Sequence, residues 1–295
     1  MKRLILLILT LLVFLISRII ASNTYSSMIA TQNFNGLKAL ANAAHQVNFG
    51  PRIYNSYAHY QVINWISSEL LLNNWFVQIE VDDYKDRIIK NIIAKSSPYP
   101  PDIIIGAHYD SRIKSDRELD LLKQSFPTPG ANDGASGTAV LLELSRIINR
   151  SGISIWLVFF DAEDDGNIKN YDWEMGSRKF VSNLEIFPSA VIIVDMVGDR
   201  NLDIYREVNS NKTLNESLWQ EAASLGYSDY FINSGKYSML DDHTPFLEMG
   251  IPAALIIDFD YEYWHTNSDT LDKLSAQSLE IVGTTILSWL ESKYE

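Results

Sequence analysis

Residues 153–166 read ISIWLVFFDAEDDG. From Ile153 to Phe160 the only polar side chain is Ser154, and four of the next five residues are acids. An apolar run that does not alternate with polar residues fits a strand covered on both faces, the kind found in parallel sheets between helix layers. Ligands of such sheets collect beyond the carboxyl ends of the strands. The cluster Asp161, Glu163, Asp164, Asp165 begins where this run stops.

The same pattern recurs on either side. Asp102–Ala107 is a shorter β-branched run, and Ala190–Val197 and Pro252–Asp258 repeat it. Helical spacing is read over Asn35–His45, Tyr57–Leu72, Gly137–Asn149, Gly176–Leu184, Thr213–Leu225 and Ser275–Leu290. In the last of these, Leu279, Val282, Ile286 and Trp289 share one face. Strands alternating with helices imply an α/β fold, a sheet sandwiched between helix layers. With no linker, repeat or low-complexity block after about residue 30, residues 30–295 are expected to form one catalytic domain.

Each strand is followed by residues of ligand type. His108-Tyr109-Asp110 follows the first, Gly130 to Gly137 (with Asp133) precedes a helix, and Glu163-Asp164 follows the second. Asp195 lies near the end of the third, Asp241-Asp242-His243 opens a helix, and Trp264-His265 follows the last. A lone Asp before a helix is usually an N-cap, which is the plain reading of Asp133 and Asp242 taken singly. His45 and His59, on helical stretches without acidic partners, read as structural, and His243 stays open between the two readings. The convergence of the segments outweighs the single readings.

Composition narrows the chemistry. The chain has 295 residues, 24 basic against 37 acidic, for a formal charge of −13. No basic run is present, which argues against nucleic acid as a partner. With no cysteine and five histidines, a disulfide framework and thiolate sites are excluded, and a metal would have to be held by His, Asp and Glu. That donor set suits zinc with an open position for substrate or water. Of two adjacent acids, one can face the metal while the other serves as general acid and base.

The N-terminus reads as a targeting segment. Met1-Lys2-Arg3 precedes an apolar run from Leu4 to Ile16, then Arg18 and the small residues Ala21-Ser22. The run is short for a span, so residues 1–22 read as a signal peptide or, if uncleaved, an N-terminal membrane anchor. The protein is therefore expected to be exported, either secreted or periplasmic, or held at the membrane through this segment alone. Nothing in the sequence specifies an oligomeric state.

The series His108-Tyr109-Asp110, Asp133, Glu163-Asp164, Asp195 and His265 resembles the zinc aminopeptidase-like superfamily, over roughly residues 35 to 291. That superfamily holds di-zinc aminopeptidases and single-zinc glutaminyl-peptide cyclotransferases. Three details look like the cyclotransferases: Trp264 before His265, the segment Asp241-Asp242-His243-Thr244-Pro245-Phe246, and FFDAEDDG followed by Trp173 and Gly176-Ser177. The resemblance implies a three-layer α/β/α sandwich around a mixed, mostly parallel sheet. It implies Asp133, Asp164 and His265 as ligands of one zinc, Glu163 as proton shuttle, and Asp195 and Asp241 as an acidic network near the substrate amine. Asp242 then falls back to a capping role. Trp264, and Trp173 at looser spacing, would line the pocket. The implied partner is a peptide or protein N-terminus, whose Gln is converted to pyroglutamate with release of ammonia. The alternative within the resemblance is a di-zinc aminopeptidase, with His108 and Asp195 completing a second metal site beside Asp133. A non-catalytic receptor-like domain is a third possibility, set back by the apparent completeness of the ligand set. Asp164 stands where Glu is more usual, one methylene shorter.

Overall fold

The computed structural model describes residues 33–148, 150 and 152–294; the N-terminal segment read as a targeting sequence lies outside them. The four runs read as strands are β3 (Ile103–His108), β4 (Ile155–Phe160), β5 (Ala190–Asp195) and β8 (Ala253–Ile257). β3 lies between β4 and β5, β8 borders β5, and all three of these pairings are parallel. Sequence reading missed a hairpin, β1 (Phe76–Tyr84) and β2 (Arg87–Lys95), which joins antiparallel through β2 to β4. The six-stranded order is therefore β1-β2-β4-β3-β5-β8, a mixed and mostly parallel sheet. Two further short strands, β6 (Ile204–Arg206) and β7 (Phe231–Gly235), form a separate parallel pair.

Period-two alternation divides the strand side chains between two cores. Ile103, Ile105, Leu157, Phe159, Ile192, Val194, Ala254 and Ile256 face one way. There they meet α2 (Tyr57–Leu72) through Val62, Ile66 and Leu70, α3 (Ala135–Ile147) through Val140, Leu141 and Leu144, and α7 (Ala276–Tyr294) through Leu279, Val282, Ile286 and Trp289. Leu214 and Leu218 of α5 (Lys212–Ser224) join the same layer, and α1 (Gly36–Asn48) packs against α3 and α7. Ile104, Val158, Phe160, Val191, Ile193, Leu255 and Ile257 face the other way, against Phe180 of α4 (Met175–Ser182) and Phe246 of α6 (Thr244–Glu248). The result is helix, sheet, helix. Caps fix three of the helix starts: Asn35, Ser56 and Asn211 accept hydrogen bonds from Lys38 N, His59 N and Leu214 N.

Between α1 and α2, Arg52 is wholly buried and donates to the carbonyls of Tyr109 (3.2 Å), Pro129 (2.6 Å) and Gly130 (2.6 Å). It thereby ties the exit of β3 to the approach of α3. Helix α3 runs very close under β5 because Gly137 lacks a side chain. A Cβ at this position would stand 2.2 Å from the carbonyl oxygen of Val194. That neighbour is backbone in a central strand and has nowhere to go. Gly137→Ala should therefore destabilise the fold by about 3 kcal/mol despite alanine's better helix propensity, read as a lower urea midpoint at unchanged slope.

Candidate active site

Strand ends and the loops after them deliver the acids and histidines to one edge of the sheet. His108 and Asp195 are the last residues of β3 and β5. Asp133 precedes α3, Glu163 and Asp164 follow β4, Asp241 precedes α6, and His265 follows β8. Asp133 is shared: its Oδ1 lies 3.2 Å from His108 Nε2 and its Oδ2 lies 3.5 Å from His265 Nε2. Around His108, Asp195 Oδ1 completes one group at 3.1 Å. Around His265, Asp164 Oδ1 completes the other at 2.9 Å. In each triad the ligand atoms lie within 4.8 Å of one another, and all five residues are buried.

This donor set fits a divalent cation. Asp133 Oδ2 and Asp164 Oδ2 are buried without a hydrogen-bond partner, and buried carboxylate oxygens left in that state are costly. Nitrogen and oxygen donors with no thiolate suit zinc. Second carboxylates orient the triads from behind. Asp110 faces His108 Nδ1 at 3.2 Å and accepts from the backbone N–H groups of Glu163 and Asp164, both at 3.2 Å. Asp269 accepts from Asn132 N (2.8 Å), Asp133 N (3.2 Å) and the Tyr261 hydroxyl (2.7 Å). Asp116 lies 3.3 Å from His265 Nδ1 and holds Arg112 at 2.6 Å; Arg112 in turn donates to the Asp164 carbonyl at 2.8 Å. Such partners fix the ring orientation of a metal-binding histidine. The backbone is held in left-handed conformations at Ala162, Met196 and His265, with φ of 55°, 45° and 56°. Such strain persists only where surrounding contacts over-determine it.

Electrostatics follow from burial and crowding. Burial pushes the Glu163 carboxyl well above the usual carboxylate range; His108 opposes the shift, and Asp164, Asp241 and Asp242 add to it. Burial, then Asp133, raises Asp164 to about 7. Burial would lower the His265 imidazole, but Asp164 and Asp116 outweigh it and raise the group to about 9. Without a cation the site gathers protons, and a bound metal would take their place.

Above the acids lies a cavity of about 280 Å³ walled by Trp173, Trp264, Met196, Leu240, Phe259 and Ile257. The His265 ring sits between the two tryptophans, 3.9 Å from Trp264 and 6.0 Å from Trp173 by centroid, with the Trp173 ring nearly parallel to it at 14°. Glu163, Asp195 and Asp241 open onto the same cavity. All of the residues singled out in the sequence therefore lie at one place, with His108 just beneath.

Two sequence readings need correction and one is resolved. Asp242 caps nothing: α6 has no side-chain cap, and the carboxyl is buried, which pushes it up to about 8 against the opposing effect of His108 and Ser177. His59 does have an acidic partner, Asp161 Oδ1 at 2.8 Å, supplied by the residue that follows β4. His243, left open, is buried with Nε2 3.2 Å from Glu207 Oε2. Glu207 had no sequence signal at all. Its oxygens also accept from Met239 N (3.0 Å), Asn209 N (3.0 Å) and Ser210 N (2.7 Å), which fixes the segment that carries Met239 to Asp241 along the cavity wall. Asp110 was legible as the third residue of His108-Tyr109-Asp110. Asp116, Asp269 and Arg112 were not.

Residues 91–290 match peptidase family M28, more than half of the chain. A Zn-dependent exopeptidase from Parabacteroides distasonis superposes with a TM-score of 0.83 at 33% identity, over 90% of this chain and 100% of that one. The glutaminyl cyclase of Porphyromonas gingivalis does so with a TM-score of 0.84 at 30% identity, over 89% and 100%. Aminopeptidase YwaD of Bacillus subtilis is 28% identical over 231 residues, 70% of this chain but only 45% of that longer protein. Cyclase and peptidase relatives thus stand at similar distance.

The carboxylate behind His265 gives a direct check on metal binding. Asp116→Asn should weaken zinc affinity about 10- to 100-fold, measured by competition with a chromophoric chelator, while leaving the unfolding midpoint of the metal-free protein nearly unchanged.

Proposed function

The chain belongs to peptidase family M28 and is an enzyme of metallopeptidase-like fold, and we propose that its reaction is the cyclisation of N-terminal glutamine. The product is pyroglutamate on a peptide or protein, and ammonia is released. One observation carries this choice over hydrolysis. The cavity at the triad of Asp133, Asp164 and His265 is a small cleft of about 280 Å³ whose wall carries the aromatic side chains of Trp173, Trp264 and Phe259. A reaction whose nucleophile and electrophile sit on one residue needs orientation and exclusion of water more than activation of an outside nucleophile.

Zinc held by Asp133, Asp164 and His265 would act as a Lewis acid toward the γ-carboxamide carbonyl. The remaining work falls to the chain. Trp173 and Trp264 hold the glutaminyl side chain, and Asp195 and Asp241 receive the α-amino group. Glu163, next to the ligand Asp164 and buried, takes a proton as the amine nitrogen bonds to Cδ. It returns that proton to the carboxamide nitrogen as the Cδ–N bond breaks and ammonia leaves. Burial raises its pKa, which favours holding the proton between the two steps.

A second reading rests on a second observation. The triad of His108, Asp133 and Asp195 could hold another cation beside the first, the layout of a two-metal aminopeptidase in which Glu163 activates water. For localisation, the basic and apolar segment of residues 1–22 supports export, with or without retention at the membrane.

The deciding experiment pairs a Gln-peptide with an aminoacyl-nitroanilide, with chelator and zinc add-back on each. Ammonia from the Gln-peptide, abolished by chelator and restored by zinc, is expected. Release of nitroaniline with the Gln-peptide left uncyclised would overturn cyclisation in favour of the peptidase. Glu163→Gln should lower kcat for ammonia release by at least about 100-fold with zinc content unchanged, read by metal analysis alongside the rate.

A further inference from the structure

Between β3 and α3 the stretch Ser115–Phe126 is built inside out. Its polar groups are spent on holding its own shape. Ser115 N donates to Phe126 O (2.8 Å) and Thr128 N to Arg112 O (3.0 Å), which closes the base. Within it, Leu122 N donates to Asp120 Oδ1 (3.0 Å), Gln124 Nε2 to the Glu118 carbonyl (2.8 Å) and Ser125 Oγ to the Leu122 carbonyl (2.9 Å). Its exposed residues include four large apolar ones among charged neighbours: Leu119, Leu121, Leu122 and Phe126 are 100%, 77%, 80% and 60% exposed.

This loop is fastened to the rim of the cavity. Arg117 N donates to the carbonyl of His265 (3.1 Å), and the Arg117 guanidinium lies over the Trp264 ring at 4.6 Å. Asn267 binds it twice more, through its N–H to Glu118 Oε1 (2.9 Å) and its Nδ2 to Ser115 Oγ (2.6 Å). Leu119 is two residues beyond Arg117, so its Cα is within about 7 Å of that anchor.

We propose that the outer face of Leu119, Leu121 and Leu122 binds apolar side chains of the substrate peptide, downstream of its N-terminal residue. The proposal rests on the reading that a peptide N-terminus enters the cavity, and it names the class of peptide. A cavity of about 280 Å³ is at the small end of ligand sites, so a peptide that enters it by its N-terminus extends over the rim. Grouped leucines on an ordered loop are a surface prepared for binding, because little entropy remains to be lost there. A lipid bilayer fits less well. Glu118 and Asp120 alternate with Leu119 and Leu121, and a chain of net charge −13 is repelled by an anionic leaflet.

The test uses full-length protein carrying Glu163→Gln, so that chemistry is stalled and binding alone is read by calorimetry. Gln-Leu-Phe-Leu-amide should bind at least about tenfold more tightly than Gln-Gly-Ser-Gly-amide. Adding Leu119→Ser, Leu121→Ser and Leu122→Ser should bring the two affinities within about twofold of each other. Equal binding before those changes, or an undiminished difference after them, would overturn the proposal. So would a triple variant that loses binding to phosphatidylcholine–phosphatidylserine vesicles, or changes its sedimentation as a dimer, while the peptide ratio stands. The affinity ratio is independent of turnover. Absence of ammonia from the wild-type enzyme therefore counts against cyclisation, and absence of a peptide preference counts against the loop.

Discussion

Asp133 is the constraint on which the site depends. One carboxylate gives its two oxygens to two histidines from different strands, His108 at the end of β3 and His265 beyond β8. For this to occur, the loop before α3 must pass almost within the His108 ring. Gly134 permits it: a Cβ at this position would lie 2.6 Å from His108 Cε1. Asp269 pins the loop from the other side through two backbone N–H groups. Shifting Asp133 would loosen both triads together, so the parallel order of β4, β3, β5 and β8 serves to bring the flanking ligands to a fixed point.

Crowding carboxylates in a buried place is unfavourable by itself, and the arrangement around them shows how the cost is met. Arg112 touches Asp116 and Asp164, and backbone N–H groups are turned onto Asp110 and Asp269. Of the buried carboxylate oxygens left without a partner, on Asp133, Asp164, Asp165 and Asp242, those of Asp133 and Asp164 lie where a cation would belong. Farther out, Glu207 holds the cavity wall by its own network. Burial would raise its carboxyl, but His243 and the backbone N–H groups bring it down to about 2, so it stays ionised at any working pH. The cavity wall at Met239–Asp241 and the candidate metal triads are thus held by separate networks.

The sequence was informative where periodicity and position coincide. Four continuous apolar runs could only be covered strands, and the residues after them had to lie at one edge. That made His108, Glu163, Asp164, Asp195 and His265 legible before any coordinates. The β1–β2 hairpin went unread although Val77, Ile79 and Val81 alternate with Gln78, Glu80 and Asp82, because the alternation is short and belongs to an exposed edge. Asp116 and Asp269 are single acids among 37, in irregular segments, and acquire their meaning only from partners far away in the chain. Asp242 was misread for a related reason: a position before a helix suggests capping, whereas tertiary packing turns its carboxyl inward.

Arg52 has a consequence for how the enzyme is assembled. Its guanidinium is buried without a carboxylate in its hydrogen bonds, bound instead to three carbonyls on the two segments that lead away from His108 and toward Asp133. The helices on either side of it, α1 and α2, contribute no residue to the triads. Yet until they dock, these carbonyls lack the Arg52 guanidinium and the two segments lack a common anchor. Acquisition of the site and docking of the N-terminal helices are therefore coupled, and a chain in which those helices have not docked would carry every ligand without this means to gather them.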